Sequence, residues 1–148
     1  METFSYEVIG THESSADCSA LLYAPLESPA TFRHSTRYEF DANGGTEKLT
    51  QFVRRTLVDA HAQELHPSID PSHCAISGHD FFLEIGMKAG ALDNEKESIM
   101  QYYRSLDDPG FQIDALRIFR RYYIFGSNQT ETFVRDMCNP AVNAWRVG

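Results

Sequence analysis

The sequence predicts an α+β fold: a small antiparallel sheet of about three or four strands in the N-terminal two-thirds, covered by helices, with three consecutive helices at the C-terminus. Three observations carry this expectation. Phe32, His34, Thr36, Tyr38 and Phe40 alternate with Thr31, Arg33, Ser35, Arg37 and Glu39, the period of a strand with one wet face. Leu49, Phe52, Val53, Leu57 and Ala60 recur at spacings of three and four, the stripe of an amphipathic helix. Further on, Phe111, Ala115, Ile118, Tyr122 and Phe125 fall on one helical stripe, with Arg117, Arg120 and Arg121 gathered on the other side.

In chain order, Phe4, Tyr6 and Val8 alternate with Ser5 and Glu7 as a strand that Gly10 ends. Ser14-Ser15-Ala16-Asp17 reads as a helix start, and a short helix is expected to run to Tyr23, before Pro25. The strand Thr31–Phe40 runs into Asp41-Ala42-Asn43-Gly44-Gly45, residues suited to a turn. A helix is expected over Thr46–Leu65, stopped by Pro67. His66–Ser72 reads as a loop, and Phe81, Leu83, Ile85 and Met87 as the inward side of another strand. Asn94-Glu95-Lys96-Glu97 has the form of a capping box, opening a helix with Ile99, Tyr102, Tyr103 and Leu106 on one face. Phe111–Phe125 fits a helix better than a strand, because a strand would put arginines on both faces. Asn128–Glu131 repeats the capping pattern before Phe133, Val134 and Met137, and Asn139-Pro140 ends that helix. Ala141–Trp145 adds a short helical turn. No internal repeat, linker or low-complexity tract is legible, so residues 1–148 read as a single compact domain.

Composition narrows the function classes. Hydrophobic residues make up 42% and charged residues 23% of the 148, which fits a globular domain and disfavours disorder, collagen and a simple coiled coil. The 13 Lys+Arg against 21 Asp+Glu give a formal charge of −8, which disfavours direct binding to nucleic acid or anionic membranes. No apolar run is long enough for a membrane span, and the start Met1-Glu2-Thr3-Phe4-Ser5 lacks the form of a signal peptide. Cys18, Cys74 and Cys138 are widely spaced and odd in number, so a reducing cytoplasm is the expected compartment. No phosphate-binding glycine motif is present, and no cofactor is expected.

Three constellations are candidate sites. Arg117, Arg120 and Arg121 form a basic island beside Tyr122 and Tyr123, residue types enriched at interface hot spots, and are assigned to partner binding. His66, Asp70, His73 and His79 bring imidazole and carboxylate ligands into one proline-bearing segment, His61–Asp80, which also holds Cys74. A metal held there would lower the pKa of a bound water for hydrolysis. His34 and Tyr38 share one strand face and are the expected lining of a sheet–helix ligand pocket. The favoured function is a non-enzymatic acidic binding module: a regulator, inhibitor, adaptor or chaperone-like protein that occupies another protein's surface, one with basic character. The alternatives are a metal-dependent hydrolase using His61–Asp80 and a small-ligand sensor.

Overall fold

A computed structural model describes residues 1–148. Seven strands and three helices alternate along the chain: β1 Glu2–Gly10, β2 Ala16–Asp17, β3 Thr31–Gly44, α1 Thr46–Leu57, β4 Gln63–Ser68, β5 Phe81–Met87, α2 Asn94–Ser105, β6 Phe111–Phe125, α3 Thr130–Met137 and β7 Asn143–Val147. The strands form one antiparallel sheet in the order β4-β1-β3-β6-β5-β7, with β2 added to β3. No helix is long and apolar enough to cross a membrane.

This corrects the expected small sheet with three consecutive C-terminal helices. The sheet dominates, the helices are interspersed, and Phe111–Phe125 is its second central strand, paired with β3 along its whole length. Arginines do fall on both faces, and the fold accepts them because carboxylates on neighbouring strands stand opposite. Register partners Glu7↔Arg37, Glu39↔Arg117 and Glu84↔Arg121 alternate charge across the ladder. The helical stripe was a coincidence of spacing that long-range pairing overrides. Within the expected helical turn Ala141–Trp145, Ala141 and Val142 end a turn and Asn143–Trp145 belong to an edge strand, β7. The expected Ser14–Tyr23 helix reduces to β2 and a single 3-10 turn at Cys18–Ala20. The helix at Thr46 stops at Leu57, so His66 lies on β4 and not in a loop. The opening of α2 is capped one residue earlier than expected: the Asp93 carboxylate accepts from the Lys96 N–H at 3.1 Å.

A repeat invisible in the sequence organises the sheet. Each half runs strand, connection, long strand, helix, edge strand: β1-β3-α1-β4, then β5-β6-α3-β7. The registers superpose, so that Glu7↔Arg37 in the first half corresponds to Glu84↔Arg121 in the second, and Gly10↔Gln63 to Met87↔Asn143. The turns after α1 and α3 match bond for bond. Asp59 O accepts from the Ala62 and Gln63 N–H groups, as Asn139 O does from Val142 and Asn143. Asp59 Oδ1 accepts from the His61 N–H and Asn139 Oδ1 from the Ala141 N–H, both at 3.0 Å. The pseudo-two-fold axis passes through the central pair Thr36↔Arg120.

The helices all cover one face. Tyr6, Phe40 and Leu116 pack beneath Leu49 and Val53 of α1 and Ile99 of α2 in one core cluster. Leu83 and Ile124 pack with Phe133 of α3 and Cys18 in a second. Phe133 and Val53 occupy corresponding positions of the two halves and are both fully buried. The opposite face carries Glu7, Arg37, Glu84 and Arg121, and the segment between β4 and β5 lies across it, bringing Ile76 against Ile9, Phe82 and Tyr123.

Candidate partner-binding cleft

The three predicted docking arginines do not share a surface. Arg121 is 0% exposed. Its guanidinium donates to Glu84 Oε2 at 2.9 Å, Glu7 Oε1 at 3.2 Å, and the carbonyls of Pro71 and His73 at 2.8 and 2.7 Å. Arg117, on the same face, is clamped by Glu39 at 2.7 Å and by both oxygens of Asp41 at 2.8 and 2.9 Å. Arg120 points to the helix side, where it donates to Thr36 Oγ1 at 2.7 Å and pairs with Glu95 at 2.8 Å. Arg120 and Arg117 keep partial exposure, whereas Arg121 is committed inside.

Around Arg121 this covered face holds a charge-balanced lattice. Arg37 donates to both oxygens of Glu84, at 3.0 and 2.6 Å, and to Glu39 at 2.7 Å. Arg37 lies over the Phe119 ring and Arg121 over the Phe82 ring, each 4.4 Å from the centroid. The Tyr123 hydroxyl donates to Glu7, as does Ser35 Oγ at 2.6 Å. Burial alone would push the Glu84 carboxyl up, but the bonds and charges of Arg37 and Arg121 outweigh it and hold it below its ordinary value. Burial opposes the Arg121 charge, and Tyr123, Glu7 and Glu84 more than compensate, so its pKa is raised.

The structure does not bring the metal-candidate residues together. His66, on β4, lies 3.3 Å from Glu64. Asp70 caps its own loop by accepting from the Ser72 N–H at 2.8 Å, and the His73 N–H bonds the Asp70 carbonyl at 3.1 Å. His79 packs edge-on against Tyr123, with ring centroids 4.9 Å apart. No group of three or more His, Cys, Asp and Glu side chains converges as metal ligands.

His34 and Tyr38 also part company. His34 lines an open cleft of about 420 Å³ with His12, Glu13, His61 and Gln63. Tyr38 is buried and donates to Glu95 at 3.1 Å; burial first, and Glu95 second, push its pKa up.

Sequence reasoning missed the other end of the sheet. β7 is an edge strand with no neighbour beyond it. Trp145 and Val147, opposite Ile85 and Leu83, are exposed, as are Met87, Val142 and Leu92 nearby in the chain and register. Beside them, where β5 ends at Met87, a cleft of about 420 Å³ opens against β6, lined mostly by apolar residues from Met87–Ala91, Ala115–Phe119 and Ala144, with Lys88, Lys96, Arg117 and Asp93 at its charged positions. The signal was the alternation Asn143-Ala144-Trp145-Arg146-Val147, too short to outweigh the preceding Pro140. Comparison with protein-family models, curated proteins and solved structures finds no match to this chain.

Proposed function

We propose that this chain is a non-enzymatic binding module that acts by covering part of a partner protein, with the β5–β7 end of the sheet as the contact. One observation carries this reading: Met87, Leu92, Val142, Trp145 and Val147 are exposed around an edge strand with free main-chain groups on its outer side. An uncovered apolar edge invites association, and large exposed apolar patches mark interaction sites. Trp is among the residues that dominate interface energetics. The formal charge of −8 supports a partner with basic character, steered by the acidic exterior while the apolar end makes the close contact. Regulation or inhibition by occupancy suits such a surface, in a reducing cytoplasm where Cys18, Cys74 and Cys138 stay free thiols.

A photo-crosslinking side chain placed at Trp145, with a control at exposed Ile69 in the segment crossing the other face, tests this in the native cell. A discrete adduct from position 145 alone is the expected result. Equal labelling from both positions, or none from 145, overturns the assignment. A second reading, a small-ligand sensor, draws support from the cleft that His12, His34 and His61 line. A melting shift with a metabolite, abolished by His34→Leu, favours it.

A further inference from the structure

We infer that the cleft beside β6 receives an extended segment of the partner as an added antiparallel strand; this deepens the binding-module reading and rests on it. The first observation is main-chain geometry. Phe82 exchanges both of its bonds with Gly148, at 2.9 and 3.0 Å, so the even-numbered residues of β5 bond toward β7 and the odd-numbered ones toward β6. Their partners on β6 are Ile124, Tyr122 and Arg120, so the even residues of β6 turn their N–H and C=O toward the β5 side. That register stops at Gly86↔Phe119. Leu116 keeps the outward orientation with no strand opposite it, and no loop or side-chain group bonds its main chain. Leu116 is 1% exposed and lies against the cleft, so its N–H and C=O are buried polar groups in want of a partner.

The second observation is what fills the equivalent place in the other half. Leu116 and Ala115 correspond to Phe32 and Thr31, beyond the end of the β1 register at Ser35. There β2 completes the edge, with Ala16 opposite Phe32 and Asp17 opposite Thr31, and Cys18 N–H donating to Ala30 O at 3.0 Å. In the first half the connection between the two long pairing strands supplies this strand; in the second half the same connection is spent on α2. The missing strand therefore comes from outside. Its side chains would meet apolar Met87, Ala91 and Ile118 on the cleft wall, and a carboxylate would meet Lys88 or Lys96. The occupant is a short extended peptide, apolar at alternate positions and carrying an acidic residue for this locally basic cleft, within a partner whose remaining surface is basic and faces the acidic exterior. The loop Lys88–Asp93 yields to admit it, since Leu116 is shielded in the free protein.

Selection of twelve-residue peptides from a random displayed library on the intact protein, followed by NMR with an enriched synthetic peptide, tests this. The expected peptides are acidic and apolar. On binding, Leu116 amide exchange slows at least tenfold, cross-strand contacts to Leu116 appear, and Ala115 and Arg117, already bonded toward β3, change little. Ala91→Trp, which plugs the cleft from a loop position, weakens binding at least tenfold with the melting temperature unchanged, and Lys88→Glu with Lys96→Glu weakens acidic peptides selectively. No enriched peptide, or binding without the Leu116 pattern, overturns the strand inference. If the Trp145 crosslink still forms, the binding-module reading survives that outcome; if it fails too, both fall. Concentration-dependent self-association with the Leu116 pattern assigns the cleft to a second copy of this chain and overturns the partner assignment.

Discussion

Replacing Glu84 by Gln removes one negative charge from the middle of the buried lattice and changes little else. Glu84 is 2% exposed and accepts from Arg37 at 2.6 and 3.0 Å and from Arg121 at 2.9 Å, with Arg146 at 3.4 Å. Arg37 and Arg121 are themselves buried and remain charged in the variant. Breaking a buried pair by neutralising one partner costs about 3–5 kcal/mol, because the other charge is left uncompensated away from water. A chain of this length loses about 2–4 °C in Tm per kcal/mol, so a fall of roughly 6–20 °C is expected. Urea unfolding followed by circular dichroism measures it, with Arg135→Gln as control. That residue pairs with Asp136 at 3.0 Å but is 65% exposed, and pairs of that kind contribute about 0–1 kcal/mol. Acid gives a second readout. The folded Glu84 pKa lies below its ordinary 4.5, so its contribution is complete above that value and is lost as pH falls through the folded pKa. The variant therefore loses less stability than the parent on acidification below pH ~4.5. A Glu84→Gln protein within about 1 kcal/mol of the parent would show that the lattice behaves as a surface pair, and would refute this account.

Other expectations follow from the same geometry. Phe133→Ala empties a fully buried site facing Phe81, with ring centroids 5.4 Å apart, and is expected to cost about 3–5 kcal/mol by the same unfolding assay. Asn139→Ala removes the acceptor of the Ala141 N–H and is expected to cost about 1 kcal/mol, whereas Asn139→Asp, which copies Asp59 of the matching turn, stays within about 0.5 kcal/mol of the parent. Burial, with Asp17 adding to it, pushes the Cys18 thiol up to about 11. Iodoacetamide at pH 8 is therefore expected to modify half-buried Cys74 before Cys18 or Cys138, read by peptide mass spectrometry.

Local pattern was legible where an apolar face alternates along the chain with a more polar one, although folding buries much of both. Thr31–Phe40, Phe4–Val8 and Phe81–Met87 show that alternation and are strands, and the Leu49-Phe52-Val53 stripe is a helix. It failed where each face mixes charged and apolar residues. On β6, Arg117, Phe119, Arg121 and Tyr123 face the ion-pair lattice while Leu116, Ile118 and Ile124 face the helix-side cores, so no two-fold alternation of polarity survives for a reader to find. An isolated Arg121 on a sequence map looks like a docking residue. Only the long-range partners Glu7 and Glu84, far away in the chain, reveal it as interior. His34 lines a cleft without Tyr38, and its neighbours there, His12 and His61, come from loops whose approach the sequence does not encode locally.

The repeat was hidden for a related reason. What the halves share is register and turn chemistry, with few identical residues, among them Phe4 with Phe81, Glu7 with Glu84, Arg33 with Arg117, Arg37 with Arg121 and Tyr38 with Tyr122. Those identities lie on the two long pairing strands of each half, where a two-fold axis makes one arginine's partner the other half's glutamate. Arg37 reaches Glu84, and Arg121 reaches Glu7. Symmetry is thus retained where each half completes the other's charge balance. Away from the axis the two connections face different demands. Residues following β1 complete an edge with β2, while residues following β5 build α2, whose Ile99 and Met100 join Leu116 in the core. An edge left unpaired inside a sheet is costly to keep unless something fills it. The asymmetry of the two halves therefore locates the opening more sharply than composition does, at Leu116, beside the one end of the sheet where apolar side chains stand uncovered on an edge strand.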